Sequence, residues 1–299
     1  MRLSRREWTL AMAAGWAARL PAAERFQLAI CNETFQGASL AEGCRLALET
    51  GYTGVEIAPW TLSEDPASIP AGKRAEYRQA IKDSGVGYVG LHSLLTAPRG
   101  ELHITTPDAA VREKSWDYFR RLVDLCADLG DGGLMILGSG KQRGVTGGAT
   151  REEAMARLQD GLAALAPHAA ERGVVIMPEP LAPHLCDVLN TMAEAVAIVE
   201  AIDNPGVRTM FDTHNAVAEA LPHGDVIRKY APYIEHVHLN ELDGRHPGAG
   251  SYDFGAVLEA LREIGYSGWL SVEVFHFEPS GEQIAREAAE YLRGLEAKL

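Results

Sequence analysis

The segment Gly173–Glu179, with the sequence GVVIMPE, carries the pattern that decides the fold. It is a short apolar run that follows a helical pattern over residues 150–172, and a polar residue stands at its end. Thr150 stands three residues before Glu153, a capping-box arrangement typical of a helix start, and Gly173 is typical of a helix end. A near-continuous apolar strand of this kind indicates a parallel sheet that is covered on both faces.

The same unit of helix and strand recurs along the chain. We predict eight strands, at residues 26–34, 54–58, 87–92, 134–138, 174–179, 207–212, 234–240 and 269–275. We predict eight helices between them, at residues 39–50, 71–84, 108–129, 150–172, 191–202, 222–230, 253–264 and 281–296. This is the count of a closed (β/α)₈ barrel, so we predict an α/β protein with a TIM barrel as a single domain over residues 24–299. A doubly wound open sheet is disfavoured because the first strand–helix turn lacks a glycine fingerprint.

The composition is that of an ordinary globular protein with an acidic surplus. The 299 residues include 28 Lys and Arg against 41 Asp and Glu, which gives a formal net charge of -13. This charge repels polyanions, so we expect no nucleic-acid partner. No apolar run approaches the roughly 20 residues that cross a bilayer, so we expect no membrane span. The four cysteines form no CxxC pair and are typical of small buried apolar residues.

The first 23 residues follow a different pattern. Arg5 and Arg6 precede a short Ala-rich segment that ends in small residues before Glu24. This arrangement resembles a twin-arginine (Tat) export signal, so we predict that residues 1–23 are a signal segment and that the protein is periplasmic or exported. Arg19 inside the apolar stretch favours the alternative, an amphipathic N-terminal helix on a cytoplasmic protein.

Four consecutive predicted strands end in side chains that can bind a metal. The active sites of barrels are assembled at the carboxyl ends of the strands, and strands five to eight deliver Glu179, Asp212, His238 and Glu273 there. Three carboxylates that converge on one point repel each other unless a cation lies among them. Oxygen-rich ligation with one His favours Mn²⁺, with Mg²⁺ or Co²⁺ as alternatives, over a thiolate zinc site. We therefore predict one divalent metal ion held by these four residues.

The segment Ile234–Glu241, with the sequence IEHVHLNE, begins a series of recognisable motifs. PGAG follows at residues 247–250, YDF at 252–254 and LREIGYSG at 261–268, before the strand that carries Glu273. In these motifs and their order the chain resembles the xylose-isomerase-like barrel superfamily of sugar (phosphate) isomerases and epimerases. It is most similar to the ketose 3-epimerase and hydroxypyruvate isomerase branch, and the resemblance covers roughly residues 26–296.

The resemblance implies a divalent-metal-dependent isomerase or epimerase of a small sugar or sugar derivative. Glu179 and Glu273 would then be catalytic residues as well as metal ligands, whereas Asp212 and His238 would be ligands only. One Glu would remove the proton α to a carbonyl to form a cis-enediolate, and the other would return a proton to the opposite face or to the neighbouring carbon. Members of the family often form dimers or tetramers, so a homo-oligomer is compatible with this assignment.

The residues around the predicted metal site depart from the family pattern. The second Glu that grips substrate hydroxyls in the 3-epimerases is missing from the run Glu179–Leu185, which carries His184 instead. The family's substrate-binding His is replaced by Asn215, with His214 one position earlier, and the family's Arg is shifted by one position to Arg245. We expect these four positions to bind a small-molecule carbohydrate that differs from a free ketohexose.

Other strand ends and one loop are candidates for supporting roles. His92 ends the third strand, where it would face the substrate or serve as a structural hydrogen-bonding residue. We interpret Glu56 in strand two as an internal hydrogen-bonding group, and Trp60 and Phe35 as candidates for the pocket wall. The glycine-rich loop 138–148 would be a flexible flap, or its two cations would bind an anionic substrate group.

Three other functions compete with the sugar isomerase. The main alternative is a metal-dependent lyase or deglycosylase acting on a keto-sugar glycoside, which would use the same metal and the same proton abstraction. An apurinic endonuclease of the endonuclease IV type is disfavoured, because position 215 is Asn rather than an extra His ligand and no Asp-x-His follows strand seven. A non-catalytic sugar-binding barrel is disfavoured by the pair of Glu residues.

Overall fold

Strands and helices alternate regularly through the chain in the computed structural model, which describes residues 25–299. The strands are β1 (Gln27–Cys31), β2 (Gly54–Ile57), β3 (Gly87–Leu91), β4 (Gly133–Leu137), β5 (Val174–Pro178), β6 (Thr209–Asp212), β7 (Ile234–Leu239) and β8 (Trp269–Val272). The main helices are α1 (Leu40–Glu49), α2 (Ala71–Ser84), α3 (Ala109–Leu129), α4 (Arg151–Glu171), α5 (Met192–Ile202), α6 (His223–Tyr230), α7 (Phe254–Glu263) and α8 (Gly281–Glu296).

All eight strands lie in one parallel sheet, in the order β5-β4-β3-β2-β1-β8-β7-β6. The two end strands meet through a bridge between Ile176 and Val207. The amide of Ile176 donates to the carbonyl of Gly206 at 2.9 Å, and the amide of Arg208 donates to the carbonyl of Ile176 at 3.0 Å. The sheet thus forms a nearly closed barrel, and the predicted single-domain TIM barrel is confirmed.

The helices cover the barrel with two large apolar clusters. One cluster runs mainly along β2–β5 and α2–α5, and the other along β1, β6–β8 and α6–α8. Burial of apolar side chains on this scale is the dominant stabilising contribution to a fold of this kind. The strands are accordingly almost fully buried, which is why their sequences are near-continuous apolar runs.

The predicted helix boundaries agree with the structure to within one residue, because the residues at the helix starts are as the sequence indicates. The hydroxyl of Thr150 accepts from the amide of Glu153 at 3.2 Å, and the Glu153 carboxylate accepts from the amide of Thr150 at 3.1 Å. This is the predicted capping box. Gly173, just after α4, has a φ of 68°, a left-handed conformation that favours glycine.

Two predicted strands are three residues too long at their carboxyl ends, whereas the other six predicted ends lie within one residue of the observed ones. β1 ends at Cys31 rather than at residue 34, because Asn32–Thr34 form a 3₁₀ turn, and the Asn32 side chain accepts from the amide of Ala58 at 2.8 Å. β8 ends at Val272 rather than at residue 275. The shorter strands place Glu33 and Glu273 on loops at the barrel mouth.

The predicted signal segment, residues 1–23, lies outside the described residues, so export remains a prediction. No helix in the part of the chain from residue 25 onward is long and apolar enough to cross a membrane. The four cysteines Cys31, Cys44, Cys126 and Cys186 are free and buried, as expected.

Candidate metal centre

Four side chains from consecutive strands converge at the carboxyl end of the barrel. Glu179 follows β5, Asp212 ends β6, His238 lies in β7 and Glu273 follows β8. All four are buried, and each offers one ligand atom that lies within 4.8 Å of the others. His238 Nδ1 is 3.6 Å from Asp212 Oδ2 and 3.2 Å from Glu273 Oε2. The parallel register produces this grouping, because Asp212 is paired with His238 across β6 and β7.

The cluster fits a divalent cation. Asp212 Oδ2 and His238 Nδ1 are buried and have no hydrogen-bond partner among the described residues. Polar atoms left unpaired in the interior are costly, so a pair of them facing a common centre indicates a ligand. Three carboxylates and one imidazole nitrogen form a donor set that suits Mn²⁺, Mg²⁺ or Co²⁺.

Glu56 binds the imidazole nitrogen of His238 that is remote from the cluster. This fully buried carboxylate accepts from Nε2 of His238 at 3.0 Å and from Nε2 of His236 at 2.8 Å. Burial alone would raise the pKa of Glu56, but the two imidazoles hold it well below its ordinary value. Nδ1 of His238 is thereby presented to the cluster, as in the carboxylate–histidine–metal arrangement. The interpretation of Glu56 as an internal hydrogen-bonding group is confirmed.

Asn215 holds two of the predicted ligands in place. Its side-chain amide donates to Glu179 Oε1 at 2.9 Å, and its backbone amide donates to Asp212 Oδ1 at 2.7 Å. Asn215 is almost fully buried. The structure therefore places this predicted substrate-binding residue directly against the predicted metal ligands.

His92 joins the cluster from β3 and brings a further carboxylate with it. Its Nδ1 lies 3.1 Å from Glu273 Oε1, and its Nε2 lies 2.9 Å from Glu33 Oε2. Sequence analysis missed Glu33, because the first strand was predicted to extend to residue 34. The signal was nevertheless present, since a polar residue just after an apolar run is the pattern by which the four ligands were found.

The two predicted catalytic carboxylates have opposite electrostatic environments. Burial, and then repulsion by Asp212 and Glu273, raise the pKa of Glu179 to about 8. Burial would also raise the pKa of Glu273, but the charges and hydrogen bonds of His238 and His92 lower it below its ordinary value. In the metal-free protein at neutral pH, Glu179 is therefore largely protonated and Glu273 is ionised.

The glycine-rich loop after β4 is tied to the end of β5. Arg143 is fully buried, and its Nη2 donates to the backbone carbonyl of Glu179 at 2.5 Å. Nε and Nη1 of the same guanidinium have no hydrogen-bond partner within residues 25–299. Because its guanidinium is fully buried, Arg143 is not available to an anionic substrate group. The expectation that both cations of loop 138–148 could bind such a group is therefore corrected. Lys141 remains on the surface.

Of the other predicted substrate-binding residues, His184 and His214 lie close together, whereas Arg245 lies apart from them. The ring centroid of His214 is 6.3 Å from that of His184 and 5.2 Å from that of Phe275. His214 is buried, with its Nδ1 donating to the carbonyl of Glu241 at 3.2 Å, whereas His184 is exposed. Arg245 is also exposed, and its guanidinium pairs with Asp243 at 2.8 Å, so the structure does not bring it into the cluster.

A cavity of about 690 Å³ opens beside the cluster and has Glu33, Trp60 and Glu273 in its wall. The expectation that Trp60 lines a pocket is confirmed. Phe35 is buried in the apolar core against α8 instead and does not contact this cavity. Of the four predicted metal ligands, Glu273 lines this cavity, which is large enough for a carbohydrate.

Comparison with known proteins gives a consistent result. A family model described as Xylose isomerase-like TIM barrel matches residues 44–295. Among curated relatives, L-ribulose 3-epimerase from Mesorhizobium japonicum is 29% identical over 228 residues, which are 75% of this chain and 73% of that protein.

Two solved structures share the fold. D-Psicose 3-epimerase in the presence of D-fructose superposes with a TM-score of 0.79 at 22% identity, over 91% of this chain and 99% of that chain. 3-Keto-D-glucoside 4-epimerase from E. coli superposes with a TM-score of 0.77 at 21% identity, over 90% of this chain and 100% of that chain. At these identities the structures show the fold alone.

Proposed function

The chain belongs to the xylose isomerase-like TIM barrel family, and from this premise we propose that it is a divalent-metal-dependent epimerase or isomerase of a sugar. Its curated relatives are sugar epimerases and isomerases, which supports an enzyme of this class. Fold alone does not determine function, so the proposal rests on the site.

One observation carries the proposal: the buried convergence of Glu179, Asp212, His238 and Glu273, in which two polar atoms lack partners. Mn²⁺ is the ion we expect there, with Mg²⁺ or Co²⁺ as alternatives. When bound, such an ion polarises a substrate carbonyl and thereby acidifies the adjacent C–H.

Glu179 and Glu273 are the groups that move protons. They come from β5 and β8, which are separated by β6 and β7 along the barrel wall, so their carboxylates approach the centre from different sides. One removes the proton α to the carbonyl, which gives a cis-enediolate, and the other returns a proton from its own side. Return to the same carbon inverts it, and return to the neighbouring carbon gives an isomerase.

The remaining buried groups keep these carboxylates oriented. Asn215 donates to Glu179 at 2.9 Å, and His92 lies 3.1 Å from Glu273, so each carboxylate has one oxygen held by a neighbouring side chain.

The proposal is tested by solvent-exchange experiments on the Mn²⁺-loaded protein. We expect incorporation of one solvent deuterium per turnover at the carbon α to the carbonyl when candidate ketoses are incubated in D₂O. Glu179→Gln and Glu273→Gln are expected to lose this exchange, by at least about a hundredfold, because general acid–base catalysis contributes roughly 10²–10⁴ in rate.

The position of the deuterium and the nature of the product separate the candidate reactions. Inversion at the labelled carbon identifies an epimerase, and label at the neighbouring carbon identifies an isomerase. Release of a substituent identifies the lyase or deglycosylase, which is the second candidate because it uses the same proton abstraction. Undiminished turnover in both Glu→Gln variants would show that these carboxylates are not the bases.

A further inference from the structure

The cavity beside the cluster extends away from the metal ligands. It lies over the loops that follow β1, β2, β3 and β8, and its wall includes Glu33, Trp60, Glu64, Arg99, Glu273 and Phe275. The four metal ligands come from β5–β8, so the cavity and the cluster occupy different halves of the barrel mouth and share Glu273. This cavity is therefore open to the non-reacting part of a substrate that reacts between Glu179 and Glu273.

The cavity is larger than a monosaccharide needs. Its volume of about 690 Å³ falls within the range of roughly 300–1,000 Å³ that pockets for drug-sized ligands occupy. A single hexose ring at the metal leaves most of this space to water. The volume therefore accommodates a substrate with a second ring.

Aromatic side chains in the wall offer flat apolar surfaces. Trp60 is 41% exposed and Phe275 is 45% exposed, which is unusual for large aromatic residues. Phe275 contacts the imidazole ring of His214, with centroids 5.2 Å apart, whereas Trp60 has no ring contact with another aromatic residue of the described chain. The indole face of Trp60 is thus free to pack against the C–H face of a sugar ring, the contact that aromatic residues make with carbohydrates.

Two charged side chains in the same wall have no protein partner among the described residues. Within residues 25–299, the Glu64 and Arg99 side chains form no hydrogen bond or ion pair, although both border the cavity. Carboxylates accept hydrogen bonds from sugar hydroxyls, and a guanidinium donates to them. Glu33 adds a carboxylate that is fixed in position by His92 at 2.9 Å.

The charge balance of the wall selects among possible second groups. Glu33 and Glu273 each contact the imidazole of His92, at 2.9 and 3.1 Å, so Glu64 and Arg99 are the charged residues of the described wall that have no protein partner. Because their charges are opposite, they favour neither an anionic nor a cationic group. A purely apolar group would contact Trp60 but form no hydrogen bond with Glu64 or Arg99, which are both exposed to solvent. A neutral, hydroxyl-bearing ring satisfies the aromatic and the polar side chains together.

We propose that this cavity is a subsite for a second sugar ring, and that the substrate is a keto-sugar glycoside rather than a free ketose. The inference rests on the proposed function, because it assigns the non-reacting part of the same substrate. Trp60 binds the face of the second ring, and Glu64 and Arg99 bind its hydroxyls.

The test uses pairs of substrates that share a reacting ring and differ by the second ring: D-fructose with isomaltulose, and 3-keto-glucose with 3-keto-cellobiose. Exchange of the α-proton in D₂O is measured for the Mn²⁺-loaded protein. We expect kcat/KM to be at least about tenfold higher for the two-ring member of one pair, since a well-packed aromatic contact and its hydrogen bonds are worth a factor of this size.

Single-residue variants then show whether Trp60 causes the preference for two-ring substrates. Trp60→Ala is expected to lower kcat/KM on the two-ring substrate about tenfold, mainly through KM, while the one-ring substrate changes less than about twofold, because the lost contact is remote from the reacting carbons. Leu221→Ala is the control, since Leu221 is 43% exposed in the loop before α6 and does not line the cavity. It should leave both substrates unaffected.

The outcomes distinguish the two proposals. Exchange at equal kcat/KM for one-ring and two-ring substrates, or an equal loss on both in Trp60→Ala, would overturn the subsite while the epimerase or isomerase function stands. Absence of α-proton exchange in every substrate would contradict the proposed function itself, and the subsite with it.

Discussion

At the scale of single residues, Glu56 decides how His238 faces the metal site. Its carboxylate binds Nε2 of both His238 and His236 and is fully buried, so it fixes which imidazole nitrogen of His238 is free. The same contact makes the imidazole a better ligand, because a carboxylate partner raises its basicity. Glu56, which lies outside the set of four predicted ligands, would thus contribute to metal affinity.

We expect Glu56→Gln to weaken Mn²⁺ binding by about 10–100-fold, the usual cost of losing such a supporting carboxylate. The Gln amide keeps the shape of the side chain but lacks the negative charge. Glu235→Gln is a suitable control, because Glu235 lies exposed in β7. Affinity is measured by calorimetric titration of folded, metal-free protein, and equal affinity in the two variants would show that Glu56 has no such role.

Metal affinity should also depend on pH. In the absence of metal, burial and the charges of Asp212 and Glu273 raise the pKa of Glu179 to about 8. Below this pH, Glu179 must therefore lose a proton before it can bind a cation. The apparent affinity should therefore rise by at least about tenfold per pH unit from pH 6 towards 8, and less steeply above.

Calorimetry in buffers of different ionisation enthalpy checks this directly. We expect the release of at least one proton on Mn²⁺ binding near pH 7. Burial would lower the pKa of His238, but the carboxylates of Glu56 and Glu273 raise it well above its ordinary value, so His238 carries a second proton that the metal must displace. Binding without proton release, and with the same affinity at pH 6 and pH 8, would contradict these protonation states.

At the scale of elements, the loop after β4 shapes the position of Glu179. A methyl group on Gly138 would collide with Glu179 Oε2 and lie 3.5 Å from its Cδ, and Arg143 from the same loop holds the Glu179 carbonyl. The glycine at the start of this loop leaves room for the Glu179 carboxylate, which any larger residue there would displace.

We expect Gly138→Ala to lower metal affinity and turnover by at least about tenfold, since a displacement of even about 1 Å in an active site is this costly. The melting temperature should change little, because no buried apolar contact is lost. Gly72→Ala in α2 is the control, since nothing lies within 4 Å of an added methyl group there. Equal activity in both variants would show that Glu179 can adjust at no cost.

The elements themselves were largely predictable, because each has local signals. The helix over residues 71–84 is at its predicted position, and the capping box at Thr150 is formed. The end of β1 was not predictable, since the chain turns at Asn32 only because its side chain binds the amide of Ala58 and the hydroxyl of Thr61. A contact between two loops leaves no local pattern in the sequence.

The site was predictable to a similar degree. The ligands Glu179, Asp212, His238 and Glu273 could be found because a parallel barrel gathers the carboxyl ends of its strands at one mouth. The burial of Arg143 could not be predicted, because it depends on packing of the loop after β4 against the loop after β5. The orientation of Arg245 could not be predicted either, because its guanidinium pairs with Asp243 at the surface.

At the scale of the whole molecule, the barrel mouth has two halves with different roles. β5–β8 carry the carboxylates and imidazole that we propose hold the cation and move protons, whereas the loops after β1–β3 form most of the cavity wall. Glu273 belongs to both halves. This division would allow the proposed metal centre to be combined with altered residues for the rest of the substrate.

Titration of the metal-free protein with Mn²⁺ tests most directly whether the four ligands form one functional metal site. Bound metal and α-proton exchange are followed in the same samples, for the wild type and for folded Asp212→Asn. We expect one ion per wild-type chain, activity that rises in proportion to bound metal, and loss of both in Asp212→Asn. Full activity in the metal-free protein, or stoichiometric binding of unchanged affinity in Asp212→Asn, would contradict the assignment.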